Sequence, residues 1–220
     1  MFTDITQQFE HIKKRIDETP VLTDPWPHMF ITEVFTPDYY RTICEFEQFE
    51  ELEAVEEHGR IQYTFDKHHE EYEEFTSKLF SLLSAKFDYH TELPVPATTN
   101  FWKDTDLLTI NDIHVDAFYD TLFTISGQIY LPSNTDKKHY GTALYKYEGN
   151  NIQKDAIQDE GTAHPHIAKH TSLDRFKLVR RVPFYPNCMF VTTNNKDSWH
   201  QAPYIEKDDI RKSLMWRWKV

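Results

Sequence analysis

The chain has 220 residues, 39% hydrophobic and 15% aromatic, with 36 acidic against 24 basic side chains for a formal charge of −12. One domain with a sizeable aromatic core fits these numbers and intrinsic disorder does not. The glycines, Gly59, Gly127, Gly141, Gly149 and Gly161, never fall into G-x-G-x-x-G or G-x-x-x-x-G-K-[ST]. A dinucleotide fold or P-loop therefore has no phosphate cradle, and the acidic balance disfavours a nucleic-acid partner.

Phe2, Ile5, Phe9, Ile12 and Ile16 recur every three or four residues, which predicts an amphipathic helix over 3–18 closed by Pro20. Phe30 to Phe35 reads as a strand. Thr36 and Pro37 then open a second helix as N-cap and first helical residue. The acidic run from Glu45 to Glu57 reads as a solvated helix face rather than a docking patch. A third helix is expected over His68–Lys86, with Tyr72, Phe75, Leu79, Leu82 and Leu83 on one side and His68-His69 as a surface pair.

From Thr98 the texture changes to short β segments, at 98–103, 107–115, 121–131, 141–148, 175–183, 188–193, 199–205 and 211–219. Turn residues such as Gly149-Asn150-Asn151 and Pro186-Asn187 separate them. This spacing predicts a mainly β fold with supporting α-helices, a sandwich or jelly roll rather than a βαβ array. Residues 150–174 are polar and without period, as in a lid or loop. His164, His166 and His170 fall there and are kept out of any metal set. Trp216 and Trp218 share one strand face and read as core.

Met1 to Glu18 does not look like a signal peptide, and no apolar run approaches the ~20 residues of a membrane span. Cys44 and Cys188 are too few for a disulfide framework or a cysteine zinc site. A soluble cytoplasmic protein is the expectation, with no oligomeric state assigned.

Chemistry concentrates in the β half. In His114-Val115-Asp116 the two polar side chains sit two residues apart, on one face of a strand, where both can reach one ion. His-x-Asp alone is easily accidental in a chain with 12 histidines. It is followed by His200 in Trp199-His200-Gln201, after the strand Cys188–Thr192, and then by Arg211-Lys212-Ser213 at the start of the last strand. Two imidazoles and one carboxylate suit Fe(II) and leave half an octahedron open.

This pattern resembles the Fe(II)/2-oxoglutarate-dependent oxygenase superfamily, whose signature is H-x-D, a distal H, then R-x-S. It is most similar to the prolyl-4-hydroxylase-like branch. Tyr130 stands fourteen residues after Asp116, Gly141-Thr142-Ala143-Leu144 follows, and Arg181 to Phe190 resembles the strand and turn before the distal histidine. Arg211 lies slightly farther from His200 than in that branch. The resemblance covers about 95–220. It implies a double-stranded β-helix (jelly roll, cupin-like) core at 93–220, a helical support at 1–92, and a single domain over 1–220. It implies Fe(II) on His114, Asp116 and His200, and O2 as oxidant. 2-Oxoglutarate would be held at its C5 carboxylate by Arg211, Ser213 and Tyr130, with Leu144 on the wall. The lid at 150–174, Phe118 and Tyr119 would close the site. The expected reaction hydroxylates a C–H bond of a peptidyl or small amino-acid-like substrate, giving succinate and CO2. The alternatives are a non-catalytic β-helix binding module, against which the intact His114, Asp116, His200 and Arg211 argue, and a cupin-type metalloenzyme without 2-oxoglutarate, against which the Arg-x-Ser strand argues.

Overall fold

The computed structural model describes residues 5–45, 54–57, 60–64, 70–89, 97–105, 113–116, 123–132, 136–150, 157–158, 165–166 and 173–219. A 3-10 turn at Ile5–Gln8 runs into α1 (Phe9–Glu18), followed by β1 (His28–Thr32), α2 (Pro37–Cys44), β2 (Ala54–Glu57), β3 (Arg60–Thr64) and α3 (Glu70–Lys86). The strands β4 (Ala97–Thr105), β5 (Phe123–Tyr130), β6 (Ala143–Tyr147), β7 (Ile157–Gln158), β8 (Pro165–His166), β9 (Phe176–Arg181), β10 (Cys188–Thr193), β11 (His200–Gln201) and β12 (Ile210–Lys219) complete the chain.

Seven strands form one antiparallel sheet in the order β1-β10-β5-β12-β4-β3-β2, and three form a second in the order β11-β6-β9. Side chains alternate across a strand, so each strand of the large sheet serves two layers. One face carries Met29, Ile31, Ile125, Ile129, Leu214, Trp216 and Trp218, all wholly buried. They pack against Ile12 and Ile16 of α1 and Phe75, Leu79 and Leu83 of α3 in one apolar cluster. The Trp216 indole donates to the Tyr72 hydroxyl at 2.6 Å, tying the last strand to α3.

The opposite face looks toward the small sheet. There Tyr130 and Phe190 of the large sheet share a cluster with Leu144 of β6 and with Tyr140 and Phe184. Two antiparallel sheets enclosing such a layer, backed by helices on one side, are the double-stranded β-helix expected.

The first half holds more strand than its texture suggests. The hairpin β2–β3 pairs Ala54 with Tyr63 and Glu57 with Arg60, and β3 then pairs along β4. Ala54–Glu57, the end of the acidic run, is thus strand and not helix face. Among the other expectations, Thr36 does precede Pro37 at the start of α2, but its hydroxyl donates to Gln8 Oε1 at 3.0 Å and caps no helical N–H. The expected pair His68-His69, and the expected lid residues His164, His170, Phe118 and Tyr119, lie outside the described residues, as does the side chain of His166. Within 150–174, β7 and β8 pair antiparallel, Ile157 with His166.

Candidate active site

His114 and His200 face each other as an isolated antiparallel bridge extending the small sheet. The His114 N–H donates to the His200 carbonyl at 2.9 Å and the His200 N–H returns the bond at 2.8 Å. Alternation does the rest. Ile113 and Val115 point away from the site into a cluster with Phe176 and Trp199, which leaves His114 and Asp116 on the side of His200. His114 Nε2 lies 3.6 Å from Asp116 Oδ1, and His200 Nε2 lies 3.6 Å from Asp116 Oδ2. One potential ligand atom from each residue falls within 4.8 Å of the others, all three side chains being half-buried.

His200 is oriented by its other nitrogen. Nδ1 lies 2.9 Å from the Ser198 carbonyl, which can only accept, so Nδ1 carries a hydrogen and Nε2 is the ring nitrogen turned toward Asp116 and His114. Two imidazole nitrogens and a carboxylate, each on a fixed backbone, fit a divalent first-row metal with open coordination positions.

Leu144 pairs with His200 across β6 and β11, so the apolar layer between the sheets begins beside the triad. Deeper in, Ser213 pairs with Tyr130. The Arg211 guanidinium lies 5.6 Å from the Tyr130 ring and 5.7 Å from the Phe184 ring. The structure therefore brings Tyr130, Leu144, Arg211 and Ser213 to one buried place. The Tyr130 hydroxyl shares a hydrogen bond with Thr142 Oγ1 at 3.0 Å, and Gln128 Nε2 donates to Ser213 Oγ at 2.9 Å. Burial pushes the Tyr130 phenol up, against the opposing pull of Arg211 and Thr142, so it stays a protonated donor at neutral pH.

Two charged residues that the sequence pattern does not mark, Asp104 and Arg60, join Arg211 at this place. Arg211, 1% exposed, donates from Nη1 to Asp104 Oδ2 at 2.6 Å and from Nε to the Tyr140 carbonyl at 2.8 Å. Asp104, wholly buried, also takes two bonds from Arg60, Nε to Oδ1 at 2.6 Å and Nη2 to Oδ2 at 3.2 Å. The residues form one row across β3, β4 and β12, Arg60 opposite Asp104 and Asp104 opposite Arg211. Burial alone would raise the Asp104 carboxyl, but the two guanidiniums outweigh it and hold it below the usual range. The row carries two positive charges and one negative. A period-2 reading of Asn100, Trp102 and Asp104 was the one available signal for Asp104; Arg60 had none without the β2–β3 hairpin.

With this geometry in hand, the solved structures to which the chain is similar can be set beside it. They include a Pseudomonas putida prolyl-4-hydroxylase (TM-score 0.53, 13% identity, covering 96% of this chain and 98% of that one). The epimerase SnoN, in complex with Fe3+, α-ketoglutarate and nogalamycin RO, matches with TM-score 0.55 at 11% identity over 95% of this chain and 82% of that one. EvdO2 from Micromonospora carbonacea var. aurantiaca, complexed with 2-oxoglutarate, matches with TM-score 0.54 at 10% identity over 95% and 89%. No protein-family model matches the chain, and no curated protein matches it either. At these identities the likeness establishes the fold alone, the double-stranded β-helix described above. Among the described residues, no helix is long and apolar enough to cross a membrane.

Proposed function

We propose that the chain is an Fe(II)- and 2-oxoglutarate-dependent dioxygenase that hydroxylates a C–H bond of a peptidyl or small amino-acid-like substrate, producing succinate and CO2. The observation that carries this reading is the convergence of His114, Asp116 and His200 within 4.8 Å, with Leu144, the strand partner of His200, clustered with Tyr130 against the buried Arg211 guanidinium. A non-catalytic module has no use for both. The two imidazoles and the carboxylate would hold Fe(II), which when bound supplies O2 activation coupled to oxidative decarboxylation of 2-oxoglutarate.

The protein's own groups account for the selectivity. The C5 carboxylate of 2-oxoglutarate would enter a dry site where an unpaired charge is costly. Arg211 offers it a charge-assisted donor, and the Tyr130 and Ser213 hydroxyls lie beside it. Leu144, Phe184 and Phe190 exclude water around the chain of the dicarboxylate. His200, fixed through Ser198, keeps its free imidazole nitrogen turned to the metal position without reorganisation. The prolyl-hydroxylase neighbour supports the peptidyl or amino-acid-like choice. The SnoN neighbour supports a second outcome, epimerisation, from the same residues.

The test is aerobic incubation with Fe(II), 2-oxoglutarate and a panel of free proline, proline-rich peptides and small amino acids. Substrate-stimulated succinate with one oxygen atom added to the product is expected. A product of unchanged mass and inverted configuration would move the reaction to epimerisation, and no succinate with any member would overturn the assignment of substrate class.

A further inference from the structure

We propose that Arg60, a residue outside the H-x-D, H, R-x-S pattern, sets the affinity of the cosubstrate pocket by neutralising Asp104, so that the charge of Arg211 remains available to an incoming carboxylate. The inference rests on the reading given under Proposed function and names the residue that tunes that pocket.

Arg211 is not an idle cation. Its Nη1 is committed to Asp104 and its Nε to the Tyr140 carbonyl. Were Asp104 and Arg211 a pair by themselves, the pocket floor would be neutral. A second carboxylate brought there would meet Asp104 as well as Arg211 and leave a net negative charge out of water, an arrangement the desolvation cost disfavours. Arg60 changes that balance. It grips Asp104 through both Nε and Nη2, in the fork geometry that suits a carboxylate. The row then has one surplus positive charge, which one carboxylate cancels. A dicarboxylate with one end on the metal presents one such group.

Position argues that Arg60 acts through Asp104 and not by touching the cosubstrate. Asp104 stands between it and Arg211 in the register of β3, β4 and β12. The Arg60 guanidinium lies 4.0 Å from the centre of the Trp102 ring, and its side chain retains 19% exposure against 1% for Asp104. Arg60 is therefore a positioning residue, a counter-charge on the outer flank of the pocket.

The experiment compares wild type, Arg60→Gln, Arg60→Lys and the double variant Arg60→Gln/Asp104→Asn, each loaded with Mn(II) as a non-turnover metal. 2-Oxoglutarate binding is read by calorimetric titration, and KM and kcat are measured separately with Fe(II) in air. Arg60→Gln is expected to weaken 2-oxoglutarate binding at least tenfold and to raise its KM in step, with kcat within twofold. Arg60→Lys keeps the charge and is expected within threefold of wild type. The double variant removes one positive and one negative charge together, restores the surplus on Arg211, and is expected to recover most of the lost affinity. Arg60→Gln binding as tightly as wild type, or a double variant as weak as Arg60→Gln, would overturn the charge-balance role. Should Arg60→Gln fail to fold, Arg60→Lys and the double variant carry the test against wild type, and a folded double variant that binds 2-oxoglutarate more than tenfold more weakly than wild type would overturn the charge-balance role. Failure of wild type itself to bind 2-oxoglutarate would instead defeat the underlying functional reading.

Discussion

Replacing Asp104 with Asn is expected to destabilise the protein by about 3 kcal/mol, and the structure says why the cost is of that size. The amide keeps the shape of the carboxylate but leaves two guanidiniums facing a neutral group. Removing one partner of a buried ion pair costs about 3–5 kcal/mol because the remaining charge is stranded. Arg211, with 1% of its side chain exposed, cannot escape to water, whereas Arg60, at 19%, can turn partly outward. The lower end of the range follows. For a chain of this length it corresponds to a fall in Tm of roughly 6–12 °C. The cost also has a pH signature. Asp104 is held below its ordinary value in the folded state. Its contribution is then fully present above the unfolded carboxyl pKa of about 4 and is lost as pH falls through the lower folded value. Urea unfolding followed by tryptophan fluorescence at pH 7 and at progressively lower pH measures both effects. A gap between wild type and variant that is steady from pH 8 to 5 and narrows only below about pH 4 is expected. A gap under about 1 kcal/mol at pH 7, the scale of an exposed pair, would refute the view that this row is a buried charge cluster.

Two further outcomes follow from other parts of the molecule. His28 is wholly buried, its Nδ1 on the Trp26 carbonyl at 2.7 Å and its Nε2 without a hydrogen-bond partner among the described residues. Burial lowers its pKa, so the unfolded chain takes up a proton that the folded chain refuses, and stability should fall as pH drops below about 6.5. His28→Phe should flatten that fall, read as urea midpoints at pH 7 and 5.5; equal slopes would contradict it. Gly141 leaves no room for a side chain, since a Cβ there would sit 1.6 Å from the Val182 carbonyl oxygen. Gly141→Ala must push apart the backbones joined by the Val182 N–H to Thr142 carbonyl bond, at a cost of ~1–3 kcal/mol in thermal unfolding; an unchanged Tm would contradict this close approach.

What could be read in advance, and what could not, has a physical basis. His114 and Asp116 could be paired in advance because strand alternation is a local signal, whereas His200, Arg211 and Tyr130 were reached through the resemblance of the whole pattern to a known family. Trp216 and Trp218 were legible as core for the same reason of period. Asp104 was not, because a charged residue near a strand end reads as surface until its partner, 107 positions later at Arg211, is folded against it. Arg60 was hidden by the density of Glu around it. A run rich in Glu favours helix locally, but Ala54–Glu57 and Arg60–Thr64 pair instead, and β3 finds the open edge of β4. Tertiary pairing overrode local propensity there, and with it went the outer cation of the pocket. Polar contacts that depend on long-range register, such as Gln128 with Ser213, belong to the same class.

The most direct test of the central claim is an anaerobic titration of the Fe(II)-loaded protein with 2-oxoglutarate, followed by visible absorption. The account expects a weak charge-transfer band that saturates with 2-oxoglutarate in wild type and is abolished in His200→Ala. Absence of the band in the folded wild type, or its survival in His200→Ala, would contradict the assignment of His114, Asp116 and His200 as the iron site.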